Sequence, residues 1–104
     1  MHNFRELTIW KDAMDISRKV ITITRSFPNE EKYGLVSQLN RVSISVPSNI
    51  AEGSLFEVET QLILSKDFDY LLKESYSEIL LLIHKLQKQI YRFKERIQPM
   101  AKVA

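Results

Sequence analysis

The chain has 104 residues, of which 44% are hydrophobic and 27% are charged, and this balance is typical of one soluble globular domain. It has no cysteine, which excludes a disulfide framework and thiolate metal sites, and its 2 glycines and 3 prolines leave little turn chemistry for a β-rich fold. The net charge is +2, and the chain has neither a signal-peptide pattern nor an apolar run long enough to cross a membrane, so we expect a cytoplasmic protein.

A first helix is predicted from Glu6 to Ser26, because apolar residues recur there at helical spacing. Its expected buried stripe consists of Leu7, Trp10, Met14, Val20, Ile21, Thr24 and Phe27. Trp10, with Phe4 and Phe27 beside it, is interpreted as core or subunit packing. Pro28 ends this helix, since proline cannot continue the hydrogen-bond ladder.

A second helix is predicted from Glu31 to Glu52, with Asn29 as its cap. Its stripe consists of Leu35, Leu39, Val42, Val46 and Ile50. The apolar pattern then changes phase at Gly53, which suits the left-handed position after a helix end, so we predict a break there. Ser54 and Glu57 match the capping box that opens a third helix.

The third helix is predicted from Leu55 to Phe68, about 21 Å long, and the fourth from Leu72 to Gln98. The fourth carries a heptad seam of Leu72, Tyr76, Ile79, Ile83, Leu86, Ile90, Phe93 and Ile97. These helices predict an all-α fold, an antiparallel up-down-up-down four-helix bundle with a shortened third helix, as a single domain over residues 1–104. The short third helix would leave an apolar groove that needs a partner chain.

Positive charge is concentrated in the last fifth of the chain, which holds Lys85, Lys88, Arg92, Lys94, Arg96 and Lys102 against Glu95 alone. In the heptad frame, Lys85, Lys88 and Arg92 form one solvent-facing line, with Lys94 and Arg96 flanking the seam. Such a line can follow phosphates, and Tyr91 beside it can stack on an exposed base. The alternative is a solvated helix end whose positive charges favour the negative pole of the helix dipole.

Two further clusters are candidates for binding. Arg41, Asn49 and Glu52 form either a structural or a binding corner near the end of the second helix. Leu80, Leu81 and Leu82 widen the apolar surface of the fourth helix and are candidates for an oligomer interface.

No enzyme chemistry is indicated. The two histidines, His2 and His84, lack the spacing of metal ligands, and no serine lies in a nucleophile elbow. There is also no glycine-rich phosphate loop. We therefore expect no catalytic residue, metal, cofactor or small-molecule substrate.

Three segments together resemble a known family, the four-helix-bundle proteins encoded in intervening sequences of bacterial 23S rRNA genes. They are "FRELTIWKDAMDIS", "FPNEEKYGLVSQLNRVSISVPSNIAEG" and "SLFEVETQLILSKDFDYL", and the resemblance covers roughly residues 4–71. Members usually carry a further stretch, a basic loop and the first turns of helix three, between the NIAEG and SLFE motifs. Here the two motifs abut, so either this chain carries a deletion or residues are absent from this sequence.

The resemblance implies an oligomeric bundle without known catalysis. A related branch comprises accessory proteins of diversity-generating retroelements, which form basic homopentamers and bind nucleic acid. The resemblance thus implies a homo-oligomer, a pentamer by analogy, with RNA or DNA as its partner. A protein-interaction scaffold without a nucleic-acid role is the alternative, and a bundle that exchanges helices between chains is a third hypothesis.

Overall fold

The computed structural model describes residues 4–49 and 52–97, which form four α-helices. These are α1 (Phe4–Thr24), α2 (Leu35–Asn49), α3 (Glu52–Asp67) and α4 (Lys73–Ile97). Each helix packs against its neighbour in the chain, and α4 closes the bundle by packing against α1. The all-α prediction and the four-helix architecture are confirmed. Within the described residues, no helix is both long and apolar enough to cross a membrane.

Contacts in reversed order show that neighbouring helices run antiparallel. Between α1 and α4, Lys19 contacts Glu78 and Asp12 lies near Lys85, so the order reverses from one helix to the other. Between α2 and α3, the amides of Gln38 and Gln61 lie 3.5 Å apart. Closer to the joint, the hydroxyls of Ser45 and Ser54 lie 2.7 Å apart.

All four helices contribute to one core. Its fully buried large side chains include Ile16, Val20, Leu39, Val46, Leu55, Val58, Leu62, Ile79, Ile83, Leu86 and Ile90. The predicted seam of α4 is confirmed from Ile79 to Ile90, and Tyr76 and Phe93 pack against the core at either side. The prediction is wrong for Leu72, the first residue of the predicted seam, because Leu72 precedes α4 and is 72% exposed.

The predicted stripe of α1 is wrong in phase over its first half. Ile9, Ala13 and Ile16 are buried, whereas Leu7 and Trp10 are exposed, Trp10 by 45%. Both sets obey helical spacing, so periodicity alone could not decide between them. Phe27 is buried as predicted, whereas Trp10 is not a core residue, and the side chain of Phe4 lies outside what the structure describes.

The connection between α1 and α2 is longer than predicted. A short 3-10 turn at Asn29–Glu31 comes first, and α2 begins at Leu35 rather than Glu31. Asn29 therefore does not cap α2. Instead, the Glu31 carboxylate accepts a hydrogen bond from the Leu35 amide at 3.3 Å, which satisfies one of the unpaired donors of the helix start.

The predicted break between the second and third helices is confirmed, but the roles predicted for Gly53 and Ser54 at that break are wrong. α2 ends at Asn49 and α3 begins at Glu52, so Gly53 and Ser54 lie inside α3. Neither described glycine has a positive φ, and the Ser54 hydroxyl contacts Ser45 across the hairpin rather than capping α3. The joint itself, residues 50 and 51, lies outside the described residues.

Both middle helices are short. α2 has 15 residues and α3 has 16, whereas α1 has 21 and α4 has 25. The third helix is shorter than the fourth, as predicted, but it is one arm of a hairpin whose other arm, α2, is equally short. The long outer pair, α1 and α4, exceeds the hairpin in length.

The turn after α3 is a Schellman motif. Asp69 has φ 61°, and the amide of Tyr70 donates to the Ser65 carbonyl at 2.9 Å. The Asp69 amide donates to Lys66 at 3.0 Å, which completes the pair of bonds that ends a helix in the left-handed conformation.

Candidate nucleic-acid interface

The basic line of α4 lies on the outer side of the bundle. Lys85, Lys88 and Arg92 are all exposed, while Leu86 and Ile90 between them are buried. The heptad frame therefore assigned these side chains to the correct face. Because successive members are three or four residues apart, the three heads form one row about 10 Å long.

The three cations differ in how firmly the bundle holds them. The Lys85 ammonium lies 4.0 Å from Asp12 of α1, at the limit of an ion pair, and its side chain is largely exposed. Within the part of the chain that the structure describes, Lys88 and Arg92 form no ion pair. Two positive charges therefore remain available to an external anion.

The structure describes the side chains of only some of the residues that flank the basic row. Lys94 is exposed and Tyr91 is 59% exposed, and both also interact with other residues of the chain. Arg96 belongs to α4, but its side chain lies outside the described residues. Glu95 is half-buried beside them, so the end of α4 is basic with one acidic residue.

The three leucines of the predicted oligomer interface lie in different environments. Leu81 is 71% exposed on the outer side of α4, Leu80 is half-buried, and Leu82 packs against the core. Leu81 precedes Lys88 by one heptad, so it shares the outer face of the basic row. Of the three leucines, Leu81 presents most of its side chain to solvent.

α3 carries an outer apolar face that the sequence reasoning missed. Leu55, Val58 and Leu62 face the core, but Phe56 is 69% exposed on the opposite side. Ile63 and Leu64 are also exposed. The missed signal was the excess of apolar residues in this segment, because a surface helix of a lone bundle is polar on its outer side.

The predicted corner on α2 is described only for Arg41. Its side chain is exposed and takes part in no ion pair among the described residues. Asn49 ends α2 and Glu52 begins α3, so their backbones lie at the hairpin joint. Their side chains lie outside the described residues, so the corner stays a prediction.

The side chains of His84 and Ser43 contact neighbouring residues of the bundle. The His84 ring lies 3.2 Å from the Glu59 carboxylate on α3, and His2 lies outside the described residues. Within residues 4–49 and 52–97, no group of three histidine or acidic side chains could hold a metal ion. Ser43 is fully buried, with its hydroxyl donating to the Asn40 carbonyl at 3.0 Å.

A shallow depression of about 300 Å³ lies between α1 and α4. Lys19 and Glu78 both line it and form an ion pair of 3.0 Å. Arg18 lines it too, but is paired with Asp15 at 3.0 Å. Its charged groups are therefore engaged with one another rather than aimed at a ligand.

Two loops meet at the opposite end of the bundle from the α2–α3 joint. The Tyr70 hydroxyl donates to the Glu31 carboxylate at 3.0 Å, and the Tyr70 ring packs on Phe27. This hydrogen bond, together with desolvation and the charges of Glu31 and Glu30, raises the pKa of Tyr70 above its ordinary value of 10.0. The contact joins the α1–α2 connection to the turn between α3 and α4.

Comparison with known proteins bears on the first half of the chain. The family model for the 23S rRNA-intervening sequence protein matches residues 5–55. That match spans α1, α2 and the start of α3, and ends two residues past the junction of the two family motifs. No curated protein matches the chain. The resemblance drawn from the sequence is confirmed: the chain belongs to the 23S rRNA-intervening sequence protein family, with the match carried by residues 5–55.

Proposed function

We propose that this protein is a non-enzymatic, self-associating bundle that binds RNA or DNA through the basic row of α4. The observation that carries the proposal is the exposure of Lys88 and Arg92 on one face, without an ion pair among the described residues. Lys85 extends the row, and exposed Tyr91 adds a ring on which a base can stack.

The affinity comes from phosphate neutralisation. Each cation placed beside a phosphate releases a condensed counterion, so binding weakens as salt rises. Three such contacts predict a loss of about 20- to 40-fold in affinity between about 50 and 200 mM salt, the smaller figure for single strands. A row of three cations recognises the backbone rather than a base sequence, so we expect little sequence preference.

Binding of labelled RNA and DNA to the intact protein tests the proposal. The test variant is Lys85/Lys88/Arg92→Glu, and the matched control is Arg25/Lys32/Lys73→Glu, which changes the charge equally at exposed positions away from the row. Binding that is lost in the first variant and kept in the second supports the proposal. Equal loss in both variants, or no binding by the wild type at low salt, rejects the row as the site.

A second candidate function is a protein-interaction scaffold without a nucleic-acid role. The exposed apolar residues Leu81 and Phe56 favour it, because a lone bundle gains nothing by leaving them in water. Self-association belongs to both candidates, and a pentamer is the state that the resemblance suggests. Mass in solution, measured by light scattering, distinguishes an assembly from a monomer, and the binding assay then separates the two functions.

A further inference from the structure

Two side-chain contacts fix how α3 and α4 lie side by side. The His84 ring lies 3.2 Å from the Glu59 carboxylate, and the Lys66 ammonium lies 4.8 Å from the centre of the Tyr76 ring. Glu59 and Lys66 are one heptad apart, so this side of α3 faces α4. Because antiparallel helices pair in reversed order, Phe56, three residues before Glu59, is level with α4 about three residues after His84.

Exposed aromatic rings flank the boundary between these two helices. Phe56 lies one turn before Glu59, which places it on the edge of the outer face of α3 that is next to α4. Tyr91 lies one heptad after His84, which places it on the edge of α4 that is next to α3. Both rings are exposed, and their positions differ by about 6 Å along the bundle axis. They are therefore close neighbours on either side of the boundary.

The cations of the basic row run along the other side of Tyr91. The Lys85 ammonium lies 4.0 Å from Asp12, so this side chain points towards α1, and Arg92 follows it by one heptad. Lys88 lies three residues before Tyr91, between the two edges of α4, and is exposed. The outer face of α4 therefore carries its cations towards α1 and its aromatic ring towards α3.

The acidic residues near the boundary leave this arrangement intact. Glu59 is half-buried and lies against His84, and Glu95, near the end of α4, is half-buried and interacts with other residues of the chain. Glu57 is exposed, but it lies one turn before Gln61, whose amide contacts α2, so it belongs to the opposite edge of α3. The exposed cations of α4 therefore face little competing negative charge at this boundary.

We propose that the polymer bound by this protein is single-stranded RNA or DNA, with its phosphates on the basic row and its bases stacked on Phe56 and Tyr91. A strand whose backbone follows the row can direct its bases towards α3, where both rings lie. Single-strand binding of this kind rests on the proposed function, to which it adds the class of polymer and Phe56 as a contact residue.

The rings distinguish a single strand from a duplex. The bases of a single strand expose their faces, and an aromatic side chain stacks on any base because every base has a π-face. In a duplex the bases are stacked on one another, so a duplex meets only the cations of the row. The same three cations therefore serve both polymers, and the rings favour the single strand.

Phe68 offers a matched control for Phe56. Its ring is exposed too, but it follows the end of α3, about 18 Å along the helix from Phe56 and on the side away from the basic row. There it stacks on Tyr70, with ring centroids 5.8 Å apart. Phe68→Leu thus makes the same chemical change at an exposed ring without cations beside it.

Binding of the intact protein to a deoxythymidine single strand and to its duplex with deoxyadenosine tests the proposal. Phe56→Leu is expected to weaken single-strand binding by about 5- to 150-fold, the loss expected for one base stack, and to leave duplex binding unchanged. The salt dependence should stay the same, because no charge is removed. Phe68→Leu and Phe56→Tyr, which keeps a ring, should both retain the wild-type affinity.

An abasic strand of the same length separates stacking from an indirect effect on the fold. It keeps the phosphates and lacks the bases, so the wild type should bind it no more tightly than Phe56→Leu binds deoxythymidine, and Phe56→Leu should not weaken it further. Circular dichroism shows whether each variant retains its helices. Tyr91→Leu, with Tyr91→Phe as its ring-preserving control, is the second variant should Phe56→Leu unfold.

Three results would overturn the proposal: full single-strand affinity in Phe56→Leu, an equal loss for strand and duplex, or an equal loss in Phe68→Leu. A wild type that binds strand and duplex through the row, with Phe56→Leu changing neither, rejects base stacking at Phe56 and leaves the proposed function standing. A wild type that binds neither polymer at low salt rejects the proposed function, and single-strand binding with it.

Discussion

The Tyr70 hydroxyl donates to the Glu31 carboxylate across 39 residues of sequence, at 3.0 Å, and joins the two loops at one end of the bundle. The other oxygen of the same carboxylate accepts from the Leu35 amide at the start of α2. Glu31 therefore links the α1–α2 connection, the first turn of α2 and the α3–α4 turn. Removing either partner breaks the side-chain hydrogen bond between the two loops.

Substituting Tyr70→Phe is expected to lower the melting temperature in a pH-dependent way. The folded-state pKa of Tyr70 is raised, so the stability that this group contributes is complete below pH 10 and is lost as the pH rises through the folded pKa. The difference in melting temperature between wild type and variant should thus be constant near neutrality and shrink in strongly alkaline solution. Thermal unfolding followed by circular dichroism across that range measures it.

Tyr33→Phe is the control for this pH series, because Tyr33 is 89% exposed and its hydroxyl has no hydrogen bond among the described contacts. It should match the wild type at every pH. A Tyr70→Phe difference that persists unchanged above the folded pKa would show that the ring packing, rather than the hydroxyl, accounts for the loss.

Asp69→Gly is expected to stabilise the fold. Asp69 has φ 61°, a conformation that costs a residue with a Cβ more than it costs glycine. Relief of this cost predicts a gain of about 1 kcal/mol, or a rise of about 4 to 8 °C in melting temperature. Asp67→Gly, in the last residue of α3, should instead destabilise, so equal effects of the two substitutions would argue against a left-handed residue at position 69.

The seam of α4 can be tested at two of its predicted members. Leu86 is fully buried, and Leu86→Ala should lower the free energy of unfolding by about 2 to 5 kcal/mol through lost burial and a residual cavity. Leu72 is exposed, and Leu72→Ala should change it by less than about 0.5 kcal/mol. Chemical denaturation of both variants measures the two effects, and similar losses would place Leu72 back in the core.

Sequence periodicity predicted α4 well because a single seam there satisfies the heptad spacing. It failed in the first half of α1, since the sets containing Ile9 and Trp10 both satisfy that spacing and differ only in what the other helices cover. The contact of Tyr70 with Glu31 leaves no periodic trace, because it joins loops. The left-handed Asp69 was equally hidden, since glycine is the usual sign of that position.

In the candidate site, too, the sequence predicted what a single helix determines and missed what depends on packing between helices. The outward direction of Lys88 and Arg92 follows from the heptad frame, which one helix sets by itself. The nearness of Asp12 to Lys85 depends on how α1 packs on α4, and no local pattern encodes it. The exposure of Phe56 likewise depends on which side of α3 the bundle uses, because both sides are apolar.

The most direct test of the nucleic-acid proposal is the slope of the logarithm of the binding constant against the logarithm of salt concentration. Neutralising the row as Lys85/Lys88/Arg92→Gln should make the slope shallower by about 2 for single strands and about 3 for duplex DNA. Arg25/Lys32/Lys73→Gln should leave the slope unchanged. A slope that stays the same in the first variant, or falls equally in both, would contradict binding through the basic row of α4.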